Sequence, residues 1–398
     1  MSEFLKRTWA EIHLDRLQGN FQAIQASLAP GSQAMAVVKA DGYGHGAAAA
    51  AKALRQAGAA WFGVSNLEEA VQLRRAGIDG DILILSFTPP EEAGRLAEFA
   101  VTQTVLSRPY AEELDAAAQA AGVRVRVHLK VDTGMSRVGF LYHREGDEAV
   151  LDDMAAACRL PHLTAEGIFT HFASADEEED GGFTRRQFAL FMDAVRRLEE
   201  RGVSFALRHC CNSAATLRYP EMHLDMVRPG IILYGLSPAP WMEGMLPLDP
   251  VMELKTTVSM VKGLEAGAPV SYGRIYTAPQ PRTLATVPIG YADGYPRSLS
   301  NRADMLLAGR RVRVVGRVCM DQCMLDVTGL EAREGQVVTV FGRDGEAVLP
   351  VEEVAGLMGT IHYEVVCQIS KRVPRLFVED GRVVGQLNYI VRGPDAGI

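Results

Sequence analysis

The sequence predicts an α/β protein: an eight-stranded parallel βα barrel over residues 1–243, followed by a mainly β domain over residues 244–398. Two observations carry this expectation. From residue 34 onward, eight segments rich in Val, Ile and Leu alternate with helix-like segments, and that number of βα units favours a closed ring over a doubly wound open sheet. Near residue 236 the texture then changes to LSPAPWMEGMLPLDP, rich in proline and without periodicity, as suits a junction between domains.

The strand candidates are AMAVVKA (34–40), WFGVS (61–65), DILILSF (81–87) and TQTVLS (102–107), then RVRVHLKVD (124–132), LTAEGIFTHF (163–172), FALRHCCN (205–212) and MVRPGIILYG (226–235). Between them, stretches such as NLEEAVQLRRAG and RRQFALFMDAVRRLEERG repeat their apolar residues at helical spacing. Beyond the junction, VMELKTTVSMVKGL, RTLATVPIGYADG, RRVRVVGRVCMDQCMLDVT and GQVVTVFGRDGEAVLP read as strands separated by turns. The acidic run DEEED (176–180) reads as a solvated loop.

A net charge of −8 on 398 residues argues against nucleic acid or an anionic membrane as the partner. No segment has the length or polarity of a membrane span, and MSEFLKRTWAEIHL lacks the apolar stretch of a signal peptide. The six cysteines form no CxxC pair and read as reduced core thiols, so the expectation is a cytoplasmic protein. The nine histidines show no ligand spacing, and no metal is expected.

Catalytic groups of βα barrels stand at the carboxyl ends of the strands. There the first strand leads to Lys39, Tyr43 and His45, and the fifth ends at Lys130 with Arg137 following. The sixth reaches His171, the seventh His209, Asn212 and Ser213, and the eighth Arg228, Gly230 and Ile231. Each has a plainer reading: a lysine snorkelling to water, core histidines satisfied by backbone, an Asn-Ser helix cap. Their coincidence on one rim weighs against those readings. Within a strand over 34–40, Lys39 would share the face of Met35 and Val37, where an unpaired ammonium is costly. The loops NSAA and PGI after strands seven and eight suit a phosphate, and an interior lysine opposite them suits the aldehyde of pyridoxal phosphate.

In order and spacing, AVVKADGYGHG, HLKVDTGMSRVGF, GIFTHFASAD, HCCNSAATLRYP, MVRPGIILYGL, VSYGRIYTA, IGYADGYPR, CMDQCMLDV and HYEVVCQISKRVPR resemble the alanine racemases, pyridoxal-phosphate enzymes with a βα barrel and a C-terminal β domain. Cys211, where many relatives carry alanine, is a small departure. The resemblance implies that Lys39 carries the cofactor and acts as one base, with Tyr272 as the second. It implies that Arg137, helped by the backbone of Met320, takes the substrate carboxylate. Tyr43, Asn212, Ser213, Gly230, Ile231 and Tyr363 would hold the cofactor, mostly at its phosphate. Arg228 would face the pyridine nitrogen, with His171 beside the ring and His209 behind Arg228. Lys130 would be a carbamate paired with Arg137.

The same resemblance implies a head-to-tail homodimer in which Tyr272 serves the other subunit, with alanine as the small-molecule substrate. D-alanine would be supplied to cell-wall peptidoglycan or drawn into catabolism. Alternatives are a serine or broader-specificity racemase of the same fold, a barrel amino-acid decarboxylase, and a non-catalytic cofactor carrier. A guanidinium at the ring nitrogen argues against the decarboxylase, which needs an acidic group there. The second domain and Tyr272 argue against the carrier.

Overall fold

The computed structural model describes residues 4–391. Their contacts gather into two compact units: one spans Arg16–Gly42 and Ala50–Asp249, and the other takes the residues before Arg16, Tyr43–Ala49 and the chain from Pro250 onward.

In the first unit the eight barrel strands are β1 (Gln33–Val37), β2 (Trp61–Val64), β3 (Asp81–Ile84), β4 (Val101–Val105), β5 (Val125–Asp132), β6 (Leu163–Phe169), β7 (Leu207–His209) and β8 (Met226–Val227). They pair in parallel in the order β8-β1-β2-β3-β4-β5-β6-β7. Two backbone bonds draw the last pair together: Asp225 N–H donates to Arg208 O at 3.2 Å, and Arg228 N–H to Cys211 O at 2.9 Å. The ring is thus nearly closed, as eight βα repeats require. Inside it Met35, Trp61, Leu83 and Met226 pack into one buried layer drawn from β1, β2, β3 and β8.

Local chemistry explains the helices between. Asn66 caps Leu67–Arg75 by accepting from Glu69 N–H at 2.9 Å, with Glu68 and Glu69 in its first turn and Arg74 and Arg75 in its last. Arg108–Ala121 starts at Ser107 and stops at Gly122, whose φ of 67° is open to glycine at no steric cost.

Several strands stop short of their sequence-based limits. β1 ends at Val37, so Lys39 lies beyond the strand and is half-buried at its mouth; the face shared with Met35 and Val37 does not exist. β8 has two residues, because Pro229 and Gly230 break it and Ile231–Tyr234 form a 3-10 turn instead. The DEEED run is an exposed loop, as expected. No cysteine is paired among the described residues, but Cys367 is exposed rather than in the core.

The second unit is an eleven-stranded, mostly antiparallel sheet. Its N-terminal strand Thr8–His13 pairs antiparallel with Met252–Thr257 and parallel with Arg375–Glu379. Val270, Leu284 and Val315 form a core cluster under its Tyr272 turn. No helix among the described residues is long and apolar enough to cross a membrane.

Candidate active site

At the mouth of β1 the backbone does something unusual. Ala40, Asp41, Gly42 and Tyr43 are all left-handed, with φ between 52° and 62°. Outside glycine this conformation costs roughly 1–2 kcal/mol per residue. Gly42 N–H donates to Val38 O at 2.8 Å, which closes the turn. Glu69 holds it from the neighbouring helix: one carboxylate oxygen accepts Ala40 N–H at 2.8 Å and the other accepts Ser65 N–H at 2.7 Å. The residue after Lys39 is thereby tied to the loop after β2.

Across the barrel, Arg228 is a buried guanidinium at the end of β8. Nη1 donates to His209 Nδ1 at 2.9 Å, while Nη2 reaches Thr170 O at 2.7 Å, Cys210 O at 3.1 Å and His171 Nδ1 at 3.2 Å. Burial lowers its pKa to about 10, so the group remains a cation at neutral pH. Burial, reinforced by Arg228, holds His171 and His209 well below the ordinary imidazole range, so both are neutral.

Lys130, on β5, is buried over the Phe169 ring, and its ammonium donates to Val131 O at 2.8 Å. Burial, then Arg228, lowers its pKa to about 7, which leaves much of it as free amine at neutral pH. The loop that carries Arg137 is shaped by Asp132, whose carboxylate accepts the N–H groups of Gly134, Ser136 and Arg137 at 2.9–3.0 Å. Burial pushes the Asp132 pKa up, but the bonds from Ser136 and Gly134 outweigh it and hold the group below the usual carboxylate range. Gly139, with φ 120°, passes over Lys130 so closely that a Cβ would lie 2.6 Å from its carbonyl oxygen.

Beside β7, Asn212 caps the short helix Ser213–Arg218 by accepting Ala215 N–H at 2.9 Å. Its side-chain oxygen is therefore committed to the cap. Ser213 Oγ accepts Gly230 N–H at 2.8 Å, so the loops after β7 and β8 meet at the serine expected from the sequence. Ile231, which follows Gly230, is buried.

In the second unit, Tyr272 stands on a strained turn: Ser271 has φ 65° and ψ −176°, Gly273 φ 68° and Arg274 φ 48°. The Ser271 hydroxyl donates to Arg317 O at 2.7 Å and pins the turn. Tyr272 is 70% exposed and borders a cavity of about 390 Å³ lined also by Lys262, Ser271 and Cys319. Met320 is exposed, and its carbonyl accepts Ala292 N–H at 3.0 Å. Tyr43 and Tyr363 belong to this unit, with ring centroids 6.3 Å apart. Burial raises the Tyr43 pKa above the ordinary phenol range. The buried Arg375 reaches Gly44 O at 3.0 Å while also donating to Ser370, Val373 and Ile369 carbonyls.

Within the first unit, then, Arg228 gathers His171 and His209, and Ser213 meets Gly230, while Lys39 and Lys130 stand at the ends of their own strands. Tyr272, Met320, Tyr43 and Tyr363 fall in the second unit. Sequence reasoning missed Glu69, Asp132 and Arg375, which hold the loops, and the pair His128 and Glu166 behind His209, where His128 Nδ1 lies 2.9 Å from His209 Nε2 and His128 Nε2 3.5 Å from Glu166 Oε1. For two of these a signal was present: Arg126, His128, Lys130 and Asp132 alternate along RVRVHLKVD, a polar face unexpected in a parallel strand buried on both sides.

A parallel βα barrel with a lysine at its mouth and a pinned, buried guanidinium, on one chain with a large β unit, defines a barrel enzyme of a specific two-unit class. Residues 12–238 match the family model "Alanine racemase, N-terminal domain", and residues 251–377 match "Alanine racemase, C-terminal domain". The chain belongs to the alanine racemase family. It is 50% identical over 372 residues to the alanine racemase of Desulforamulus reducens, covering 93% of this chain and 98% of that one. The crystal structure of alanine racemase from Bacillus anthracis with bound L-Ala-P is 37% identical, with a TM-score of 0.92 over 98% of this chain and 99% of that one. Alanine racemase from Bartonella henselae with covalently bound pyridoxal phosphate is 29% identical, with a TM-score of 0.83 over 94% and 99%.

Proposed function

We propose that the chain interconverts L- and D-alanine, with pyridoxal phosphate carried on Lys39. The observation that carries this reading is the buried Arg228 guanidinium, held by four bonds in the same barrel that ends β1 at Lys39. The donor set fits the cofactor: an amine for an aldehyde, a serine hydroxyl and two loop backbones for a phosphate, and a fixed cation for a ring nitrogen. When bound, pyridoxal phosphate supplies an electron-withdrawing ring that acidifies the Cα proton of an amino acid.

A guanidinium can only donate, so Arg228, set against the ring nitrogen, would leave that nitrogen without a proton and the ring a weaker electron sink. That favours return of the Cα proton over its diversion to transamination. Inversion needs a proton removed on one face and returned on the other, and two bases on opposite faces do this directly. Lys39 serves the D face and Tyr272 the L face. Arg137, on the loop shaped by Asp132, takes the substrate carboxylate with help from the Met320 backbone. Lys130, with its pKa lowered to about 7, offers the neutral amine that carbon dioxide requires, and the carbamate so formed pairs with Arg137. The exposure of Tyr272 and Met320 supports a head-to-tail homodimer in which they serve the partner subunit.

The test is a chiral assay of both alanine enantiomers, then of serine, with Tyr272→Phe as control. Racemisation of alanine from either side is expected, with kcat/KM falling equally in both directions in Tyr272→Phe, because the enantiomers are equal in energy, and with solvent exchange of the Cα proton of L-alanine slowed more than that of D-alanine. Decarboxylation, or no turnover of any amino acid by protein that binds the cofactor, overturns the reading.

A further inference from the structure

Behind Arg228 a chain of groups, buried as far as His128 and ending at half-buried Glu166, crosses the barrel away from its mouth. Arg228 Nη1 lies 2.9 Å from His209 Nδ1, and His209 Nε2 lies 2.9 Å from His128 Nδ1. His128 Nε2 in turn faces Glu166 Oε1 at 3.5 Å, within ion-pair range but beyond a normal hydrogen bond. Both histidines are fully buried.

The two ends of this chain dictate its polarity. Arginine has donors only, so the Nδ1 it meets on His209 must carry a lone pair. A neutral His209 then bears its proton on Nε2 and points it at His128 Nδ1, which must accept. His128 is thereby protonated on Nε2, facing a carboxylate that can only accept. Reversing any link sets two protons or two lone pairs face to face.

The surrounding backbone is shaped for this arrangement. Val127 pairs with Ala165 but His128 with Gly167, so Glu166 is the extra residue of a β-bulge, a device that re-aims a side chain. Gly167 leaves the space the ring occupies: a Cβ there would come within 2.6 Å of His128 Nδ1. The Thr102 hydroxyl donates to Glu166 Oε1 at 2.8 Å, and Arg126 stands 3.7 Å from Oε2. Phe169 stacks on His209 at 4.8 Å with planes 5° apart, and Trp61 packs on His128 at 5.5 Å, which restrains both rings from turning.

We propose that Glu166 and His128 are positioning residues that fix His209 as its Nε2–H tautomer and so hold the Arg228 guanidinium in register. The consequence for the cofactor ring rests on the proposed function; the tautomers themselves do not.

The experiment is long-range proton–nitrogen correlation on the holoenzyme labelled with 15N-histidine, with His128 and His209 assigned by substitution. Both are expected as neutral Nε2–H rings that do not titrate from roughly pH 6 to 9, around the ordinary imidazole value. Glu166→Gln, whose amide can donate as well as accept, leaves Arg228 alone to set the polarity of the chain, so a measurable minority of the reversed tautomer at His209 is expected against the Arg228 donor, with cofactor affinity weakened about tenfold, the worth of one charge-assisted bond. Glu166→Asp, which keeps the carboxylate, should restore the parent tautomers. Thr102→Val, gentler on the bulge, should shift only the His128 Nε2 proton. A parent His209 protonated on Nδ1 or on both nitrogens overturns the proposal, as does an unchanged His209 signal in Glu166→Gln. A parent that shows the expected tautomers but no alanine turnover supports this proposal and strikes the proposed function instead.

Discussion

Glu69 bonds the backbone at Ala40 and Ser65, and its replacement should be felt at Lys39. The left-handed turn after Lys39 contains three residues other than glycine, Ala40, Asp41 and Tyr43, so its backbone stores roughly 3–6 kcal/mol. The Glu69 carboxylate opposes that strain through two charge-assisted bonds, each worth about 1.5–3 kcal/mol where shielded and less at exposed Ala40. Glutamine keeps one acceptor and turns a donor on the other N–H. Glu69→Gln should therefore cost about 2 kcal/mol locally, or roughly thirtyfold in the opening equilibrium of this turn. Hydrogen exchange at the Ala40 and Ser65 amides reads that opening directly. Adding Ala40→Gly, which relieves a left-handed alanine, should recover about 1 kcal/mol, or roughly fivefold. Protection within twofold of the parent in Glu69→Gln, or no recovery with Ala40→Gly, refutes the reasoning.

Asp132→Asn should raise KM for alanine about tenfold with a smaller change in kcat, because the loop carrying Arg137 loses a charged acceptor of three N–H groups; an unchanged KM counts against it. Between the folded Lys130 pKa of about 7 and its ordinary 10.5, the unfolded chain binds the extra proton, so stability in carbon dioxide-free buffer should rise with pH across that window and lose the rise in Lys130→Met. In 13C-bicarbonate the parent should show a carbamate carbon signal that Lys130→Met lacks. Mixing Lys39→Ala with Tyr272→Phe chains should restore roughly a quarter of parental sites, since half the random pairs are mixed and each holds one intact site; no recovery argues against Tyr272 serving the partner subunit.

Much of the first unit was legible because its strands announce themselves. DILI and VTQTV are short β-branched runs between helical segments, and eight of them leave few topologies open. The ends of the strands were less legible. AMAVVKA reads as one run, but a left-handed turn after Lys39 depends on Glu69, thirty residues on in the chain, and nothing local reveals it. The β-bulge at Glu166 is equally silent, since it is a matter of register between two strands. The pairing of Thr8–His13 with Met252–Thr257 joins distant segments through backbone bonds, which side-chain patterns do not encode. Tyr272 was named by resemblance alone: an exposed tyrosine on a strained Ser271-Tyr272-Gly273 turn has no periodicity to betray it.

The brevity of β8 has a consequence for how the protein is made. Met226 and Val227 pair with Gln33 and Ala34, so the ring cannot close until a strand near residue 226 returns to one near residue 33. Closing so large a loop carries an entropic cost that only contacts made afterwards offset, which places it late in folding. Arg228, Ser213 and Gly230 flank that closure. A nascent or partly folded chain can present Lys39 early, but the groups facing it arrive together with the final strand. On the proposed role of Lys39, capture of a reactive aldehyde would thereby be coupled to completion of the barrel, and an unfinished chain would offer only a surface lysine.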